Sequence, residues 1–220
     1  MLFPDAKLIL FTKAPVPGQA KTRLIPALGD EGAAELQRRM TRHTVDMVFS
    51  AAFTNVELQA FPNTQDASFL ALLDDYCIEL NAQQGNDLGD RMAHAFEQAL
   101  AVYDYAIIIG TDAPALDADI VKQAIEQLAS GVDVVMCPAE DGGYALVGLS
   151  KPNQQIFTDI DWGTDRVYQQ TLQRIQQAQL SLAELPLLWD VDRPEDLARL
   201  REHSQLCKLL NDLDFSSLSK

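Results

Sequence analysis

The residues best suited to chemistry form a short cationic loop that follows an apolar run. The segment FTKAPVPGQAKTRL, residues 11–24, combines Lys13, Lys21 and Arg23 with two prolines and Gly18. Proline fixes φ, and glycine permits a positive φ or a close backbone approach. Because a rigid loop can present ammonium and guanidinium groups to phosphate oxygens, we expect these cations and Gly18 to bind nucleotide phosphates.

The loop is not the P-loop of NTPases. That motif, G-x-x-x-x-G-K-[ST], has a glycine directly before its lysine, whereas Ala20 precedes Lys21 here. The segment is therefore either a different kind of phosphate loop or a solvated turn that carries surface cations.

Carboxylates follow two other runs that are apolar or extended. Asp112 in GTDAP comes after the apolar run AIII, where a charge needs water, a donor or a metal. Since Mg²⁺ is bound by one or two carboxylates plus substrate phosphates, we expect Asp112 to bind a metal. In DVDRPEDL, Asp190 and Asp192 are candidates for a second metal ligand. Asp112 or Asp192 could instead cap the following helix, although Asp117 is better placed than Asp112.

The segment EDGGY places two acids beside two glycines. Either Glu140 or Asp141 could orient an acceptor hydroxyl or act as a general base. The glycines could equally form a hairpin turn, and Trp162 in DWGTD could belong to the core. The residues expected to line an acceptor pocket are Gly142, Gly143, Tyr144 and Trp162.

A polar glycine turn, GNDLGDRM, opens a helix at residues 85–92. The positive end of a helix dipole and free backbone N–H groups can receive a base, a ribose or a phosphate. We therefore expect Asp87 and Gly89 to contact the nucleotide. The alternative is that this turn caps the helix and does nothing more.

Strands and helices alternate along the chain, and this alternation must position the loops described above. Such a pattern predicts a mainly parallel mixed sheet covered by helices on both faces, a three-layer α/β/α sandwich. The loops at the carboxyl ends of the strands then meet at one edge, where ligands bind. Strands are predicted at 6–11, 55–61, 77–83, 104–112, 132–139 and 142–149, helices at 31–52, 66–76, 91–103, 117–130, 165–179 and 193–203, and a mostly extended segment at 181–191.

Bulk composition limits the classes of function. The 220 residues are 47% apolar, which suits one domain, 1–220, with a tail from about 204 to 220. The net charge of −15 argues against a nucleic-acid polymer or an acidic membrane as partner. Residues 1–42 hold seven basic and four acidic residues, so a small anion could dock there.

Three widely spaced cysteines form neither a disulfide framework nor a zinc pattern. The first residues lack the features of a secretory signal, and no apolar run approaches the ~20 residues of a membrane span. We therefore expect a cytoplasmic protein.

Six segments together resemble the bacterial DUF2064 family, a nucleotide-diphospho-sugar transferase-like group of GT-A fold. They are FTKAPVPGQAKTRL, DLGDRM, GTDAPAL, PAEDGGYALVGL, DWGT and DVDRPEDL. The loop AKTRL is also similar to that of 2-phospholactate guanylyltransferase. These resemblances imply that Lys21 and Arg23 bind phosphates, and that Asp112 and Asp192 bind Mg²⁺ or Mn²⁺.

The expected function is glycosyl transfer from a nucleotide-diphospho-sugar donor to a small-molecule acceptor, assisted by Mg²⁺ or Mn²⁺. The first alternative is nucleotidyl transfer from an NTP to a small phosphorylated acceptor. The second alternative is a non-catalytic nucleotide-binding module.

Overall fold

The computed structural model describes residues 3–53 and 55–213. Its strands are β1 Ala6–Lys13, β2 Val56–Phe61, β3 Glu79–Ala82, β4 Tyr105–Gly110, β5 Val134–Pro138, β6 Tyr144–Leu149 and β7 Leu182–Glu184. They form one sheet in the order β3-β2-β1-β4-β6-β5-β7. Strand β6 is antiparallel to β4 and β5, and the other pairings between these strands are parallel. The predicted mixed, mainly parallel sheet is confirmed.

The helices are α1 Ile25–Ser50, α2 Ala67–Asp75, α3 Leu88–Leu100, α4 Ala118–Ala129, α5 Val167–Gln177 and α6 Pro194–Glu202. The helix predicted from residue 31 corresponds to the part of α1 that follows Gly29, whose φ of 69° interrupts the helix. The extended segment predicted at 181–191 contains β7 and a bridge between Ala139 and Leu188. Among the described residues, no helix is long and apolar enough to cross a membrane.

The central strands are apolar at successive positions because both faces of the sheet are covered. In β1, Leu8 and Leu10 pack with side chains of α1, α2 and α4, whereas Ile9 and Phe11 pack with α3 and α5. Buried strands of a mainly parallel sheet characteristically have this continuous apolar pattern. The predicted three-layer sandwich is therefore confirmed.

A third apolar cluster joins sequence-distant parts of the chain beside the edge where the loops meet. It contains Leu24 and the first turns of α1, together with Trp189, Val191 and the buried face of α6. The cluster also includes Leu206, Leu209 and Leu210, so the first part of the predicted tail packs onto the domain. The loose end predicted at 213–220 lies outside the described residues, except for its first residue.

Candidate functional site

A cavity of about 690 Å³ opens at the carboxyl ends of the central strands. Its walls are formed by the loops after β1 and β4, the end of β2, the first turns of α3, the turn between β5 and β6, and residues from the segments 162–167 and 190–193. Ligands bind at this edge in open α/β sheets. The predicted site residues that line it are Lys13, Arg23, Asp112, Asp141, Gly143, Tyr144, Trp162 and Asp192.

Lys21 lies behind the cavity wall and joins three segments of the chain. Its side chain is 4% exposed, and its Nζ lies 2.7 Å from Asp112 Oδ1. The same Nζ donates a hydrogen bond to the carbonyl oxygen of Val191 at 2.6 Å. The backbone of Lys21 is left-handed, with φ 47° and ψ 45°, a conformation that persists only where the surroundings fix it. Lys21 therefore holds the end of β4 and the segment before α6 against the first loop.

A second cation–carboxylate pair lies beside the first. Arg23 Nη1 is 2.5 Å from Asp192 Oδ2, and both side chains are partly exposed. The backbone N–H of Val191 donates to the carbonyl oxygen of Asp112 at 2.9 Å, which ties the two loops together. The two cations predicted to bind phosphates are thus paired with the two carboxylates predicted to bind metal. A phosphate must compete with these carboxylates for Lys21 and Arg23.

Neither of the two predicted metal ligands caps a helix. Asp117 caps α4 and accepts from the N–H of Ile120 at 2.9 Å, as expected. At the start of α6, Asp196 accepts from the N–H groups of Arg193 and Asp192 at 2.6 and 3.0 Å. The capping alternative for Asp112 and Asp192 is therefore wrong, and both carboxylates face the cavity.

The turn between β5 and β6 separates the two acids predicted there. Asp141 lines the cavity, and its Oδ1 accepts from the N–H of Gly143 at 2.8 Å. Glu140 instead forms an ion pair with Arg199 at 2.8 Å and is not on the cavity wall. Gly142 has a φ of 88°, and a Cβ there would collide with the backbone of Asp165. Of the two candidate bases, Asp141 is the one that faces the cavity.

Asp190 also lines the cavity. Burial raises the pKa of its carboxyl to about 6, and the nearby charge of Asp141 acts in the same direction. Ionisable groups with shifted pKa values cluster at functional sites. Its position in the cavity and this shift add Asp190 to the residues that mark the candidate site.

The turn before α3 contributes indirectly. Asp87 caps α3, because its Oδ1 accepts from the N–H of Asp90 at 2.8 Å, and it is not on the cavity wall. A Cβ at Gly89 would lie 2.9 Å from the ring of Trp162 and 2.6 Å from the carbonyl oxygen of Phe157. Gly89 therefore lets Trp162 approach α3, and Trp162 in turn forms part of the wall. Nucleotide contact by Asp87 and Gly89 stays a prediction.

The first loop meets the cavity through its ends. Lys13 lines the cavity, and its Nζ donates to the carbonyl oxygen of Gln19 at 2.7 Å. Gly18 has a φ of 74°, so it adopts the positive φ that was one of the two expectations for it, but it does not line the cavity. The glycine thus shapes the loop from outside the wall.

A buried polar network beneath the cavity was not predicted from the sequence. Thr12 and Thr41 hydroxyls lie 2.8 Å apart, and Gln37 Nε2 donates to the hydroxyl of Thr111 at 3.2 Å. Thr12 is the next-to-last residue of β1 and Thr111 directly follows β4, so the network fixes both strand ends to α1. The available signal was the glutamine among the apolar residues of the α1 face that packs inward.

Arg91 of α3 is a further cavity residue that was not predicted. Its guanidinium carbon lies 4.0 Å from the centre of the Phe61 ring. The signal was a cation at the end of the segment GNDLGDRM, next to a turn already expected to contact the nucleotide.

Comparisons with known proteins agree with this fold. A family model described as "uncharacterized protein conserved in bacteria (DUF2064)" matches residues 44–164. A solved structure from Desulfovibrio desulfuricans G20, described as a candidate nucleotide-diphospho-sugar transferase, is 30% identical with a TM-score of 0.78. The match covers 97% of this chain and 94% of that chain. No match was found among curated proteins.

More distant structures share the fold at low identity. A CMP:2-keto-3-deoxy-manno-octonic acid synthetase complexed with CTP is 12% identical, with a TM-score of 0.56, over 90% of this chain and 97% of that chain. A nucleotidyl transferase from Methanothermobacter is 13% identical, with a TM-score of 0.59, over 91% and 97%. The predicted fold, that of nucleotide-sugar transferases and nucleotidyltransferases, is therefore confirmed.

Proposed function

The chain belongs to the DUF2064 family, and from this membership and the cavity we propose that it is a transferase with an activated nucleotide as donor. The main support is the pair of ion pairs, Lys21–Asp112 and Arg23–Asp192, at the ligand edge of the sheet. They join the two cations expected to bind phosphate to the two carboxylates expected to bind metal, at the wall of one cavity and from three separate loops. A nucleotide diphosphate with its divalent ion requires both kinds of group.

Glycosyl transfer from a nucleotide-diphospho-sugar is the first choice. The relative that is 30% identical is described as a candidate transferase of this kind, and the match extends over nearly the whole of both chains. In this function Asp141 is the candidate base that takes the proton of an acceptor hydroxyl, because it faces the cavity. Gly143, Tyr144 and Trp162 line the same cavity and would contact a small-molecule acceptor.

Asp112 and Asp192 would hold a divalent ion, Mg²⁺ or Mn²⁺. Their hard oxygen ligands suit either ion, and the Val191–Asp112 backbone hydrogen bond keeps the two loops together. No group of three or more metal-binding side chains occurs among residues 3–53 and 55–213, so donor phosphates would complete the coordination. When bound, such an ion neutralises charge on the diphosphate leaving group. Lys21 and Arg23 would then exchange a carboxylate partner for phosphate oxygens.

Nucleotidyl transfer is the alternative, because the same fold occurs in nucleotidyltransferases. In that case an acceptor phosphate attacks the α-phosphate of an NTP, and the same cations would stabilise the departing pyrophosphate. A non-catalytic nucleotide-binding module is the third candidate.

A donor panel distinguishes these functions. Thermal shift with nucleotides and nucleotide sugars, with and without Mn²⁺, identifies the donor, because a bound ligand raises apparent stability. Product analysis then decides the reaction. Release of NDP from a nucleotide sugar supports glycosyl transfer, release of pyrophosphate from an NTP supports nucleotidyl transfer, and binding without turnover supports a binding module. Failure of every nucleotide and nucleotide sugar to bind would contradict the proposal.

A further inference from the structure

The cations of the cavity differ in whether a carboxylate already neutralises them. Arg23 on the wall and Lys21 behind it are paired with Asp192 and Asp112. Within residues 3–53 and 55–213, Lys13, Arg91 and Arg193 line the cavity and form no ion pair. Lys13 and Arg91 both lie beside Phe61, at the end of β2. In a protein of net charge −15, unpaired cations that face a cavity are favourable places for an anion.

The guanidinium of Arg91 forms no hydrogen bond in the described part of the chain. One side of its guanidinium packs against Phe61, 4.0 Å from the ring centre, and its Nε is buried without an acceptor. A buried donor without a partner is unfavourable. An arginine held on an aromatic ring keeps its N–H groups directed outward in the guanidinium plane. Packing on Phe61 thus holds the Arg91 side chain in place, but its Nε–H still lacks an acceptor.

Carboxylates and phosphates are the groups that best satisfy such an arginine. The planar fork of the guanidinium matches two oxygens of either group, which yields short, charge-assisted hydrogen bonds. Lys13 uses one of the three donors of its ammonium group on Gln19, which leaves two for a ligand.

We propose that Arg91, supported by Phe61 and accompanied by Lys13, forms an oxyanion subsite for a carboxylate or phosphate group of a bound small molecule. The subsite lies at the β2 side of the cavity, because Phe61 ends β2, and β1 separates β2 from β4 and its Asp112. It is therefore distinct from the two ion pairs. The proposal rests on the proposed function for the cavity as substrate site, and it adds a charged group that one substrate carries there.

The test measures the binding of inorganic phosphate by calorimetry in EDTA, for wild type and three variants. Arg91→Met removes the fork and should weaken phosphate binding about tenfold or more. Arg91→Lys keeps the charge without the fork and should give an intermediate affinity. Arg174→Met is the matched control, since Arg174 of α5 pairs with Asp159 and does not line the cavity. It should bind phosphate as wild type does.

Unchanged phosphate affinity in Arg91→Met, or no phosphate binding by the wild type, overturns the subsite. Melting temperatures of all variants show whether they are folded. If Arg91→Met is not folded, the phosphate affinity of Arg91→Lys is compared with that of the wild type instead. A weakened affinity in both Arg91 variants, with the control unaffected, supports the subsite.

Competition with UDP identifies which substrate carries the oxyanion. If saturating UDP displaces phosphate, the subsite binds a phosphate of the donor. If UDP and phosphate bind together, the oxyanion belongs to the second substrate; either result supports the subsite. Phosphate binding that depends on Arg91, with no binding of any nucleotide or nucleotide sugar, would refute the proposed function and leave the subsite standing.

Discussion

Replacing Asp112 by Asn should destabilise the protein by about 1.5–3 kcal/mol, the contribution of a hydrogen bond to a charged group. The Lys21 side chain is 4% exposed, and in the variant its ammonium would keep the Val191 carbonyl but lose its counter-charge. Removing one partner of a fully buried pair costs about 3–5 kcal/mol. The Asp112 side chain is 58% exposed, so solvent screens the pair and the lower range applies.

The reverse change should cost less. Lys21→Met removes the buried charge itself and leaves Asp112 in contact with water, so the remaining cost is that the Val191 carbonyl loses its donor. The double variant should be about as stable as Lys21→Met alone, because the two residues act as one pair. This asymmetry between the two single variants is the specific consequence of burying the lysine rather than the aspartate.

Urea unfolding followed by tryptophan fluorescence provides the free energies. Asp117→Asn is the matched control, since Asn caps helices as well as Asp does, and it should change stability by no more than about 0.5 kcal/mol. The reasoning is refuted if Asp112→Asn is as stable as the control, or if Lys21→Met is the more damaging of the two.

Three further results are expected. Mn²⁺ should increase the affinity of the wild type for UDP, and Asp192→Asn should abolish that increase. If calorimetry shows the same increase for Asp192→Asn as for the control Asp117→Asn, Asp192 is not a metal ligand. Burial lowers the pKa of His43 below 6.5, so the unfolded chain takes up the proton first and stability is lost as pH falls through about 6.5. His43→Gln should reduce the decline in unfolding free energy between pH 7.5 and about 5.5, and an unchanged decline would exclude His43 as its source. Gly142→Ala should lower the free energy of unfolding by about 1–3 kcal/mol, because alanine is strained at a φ of 88° and its Cβ would collide with the backbone of Asp165. An unchanged urea midpoint would contradict this.

The layers of the fold could be predicted because they depend on local patterns. Apolar runs such as YAIIIG give strands that are buried on both faces, and the helices between them follow from apolar residues at helical spacing. The position of Asp112 at the ligand edge follows from the same rules, since parallel strands direct their carboxyl ends to one side.

The partners of the site residues could not be predicted, because they come from distant parts of the chain. From its place in the sequence, Lys21 resembles an exposed cation of a loop. Its side chain is instead buried, and its hydrogen-bond acceptor, the carbonyl of Val191, is 170 residues away along the chain. The stacking of Arg91 on Phe61 likewise depends on how α3 packs beside β2. The cap of α6 was missed as well, since the sequence offered Asp192 for a role that Asp196 performs by accepting from the N–H groups of Asp192 and Arg193.

The cluster that joins Leu24 to Trp189, Val191 and α6 has a consequence for the order in which the site is made. During synthesis, the first loop leaves the ribosome long before the segment that carries Val191 and Asp192. Until that segment has emerged, Lys21 and Arg23 lack the carbonyl and carboxylate that position them. A nascent chain can therefore build most of its sheet and still lack a complete cavity. The cavity is therefore complete only after residues 190–193 have been added and have packed against the first loop.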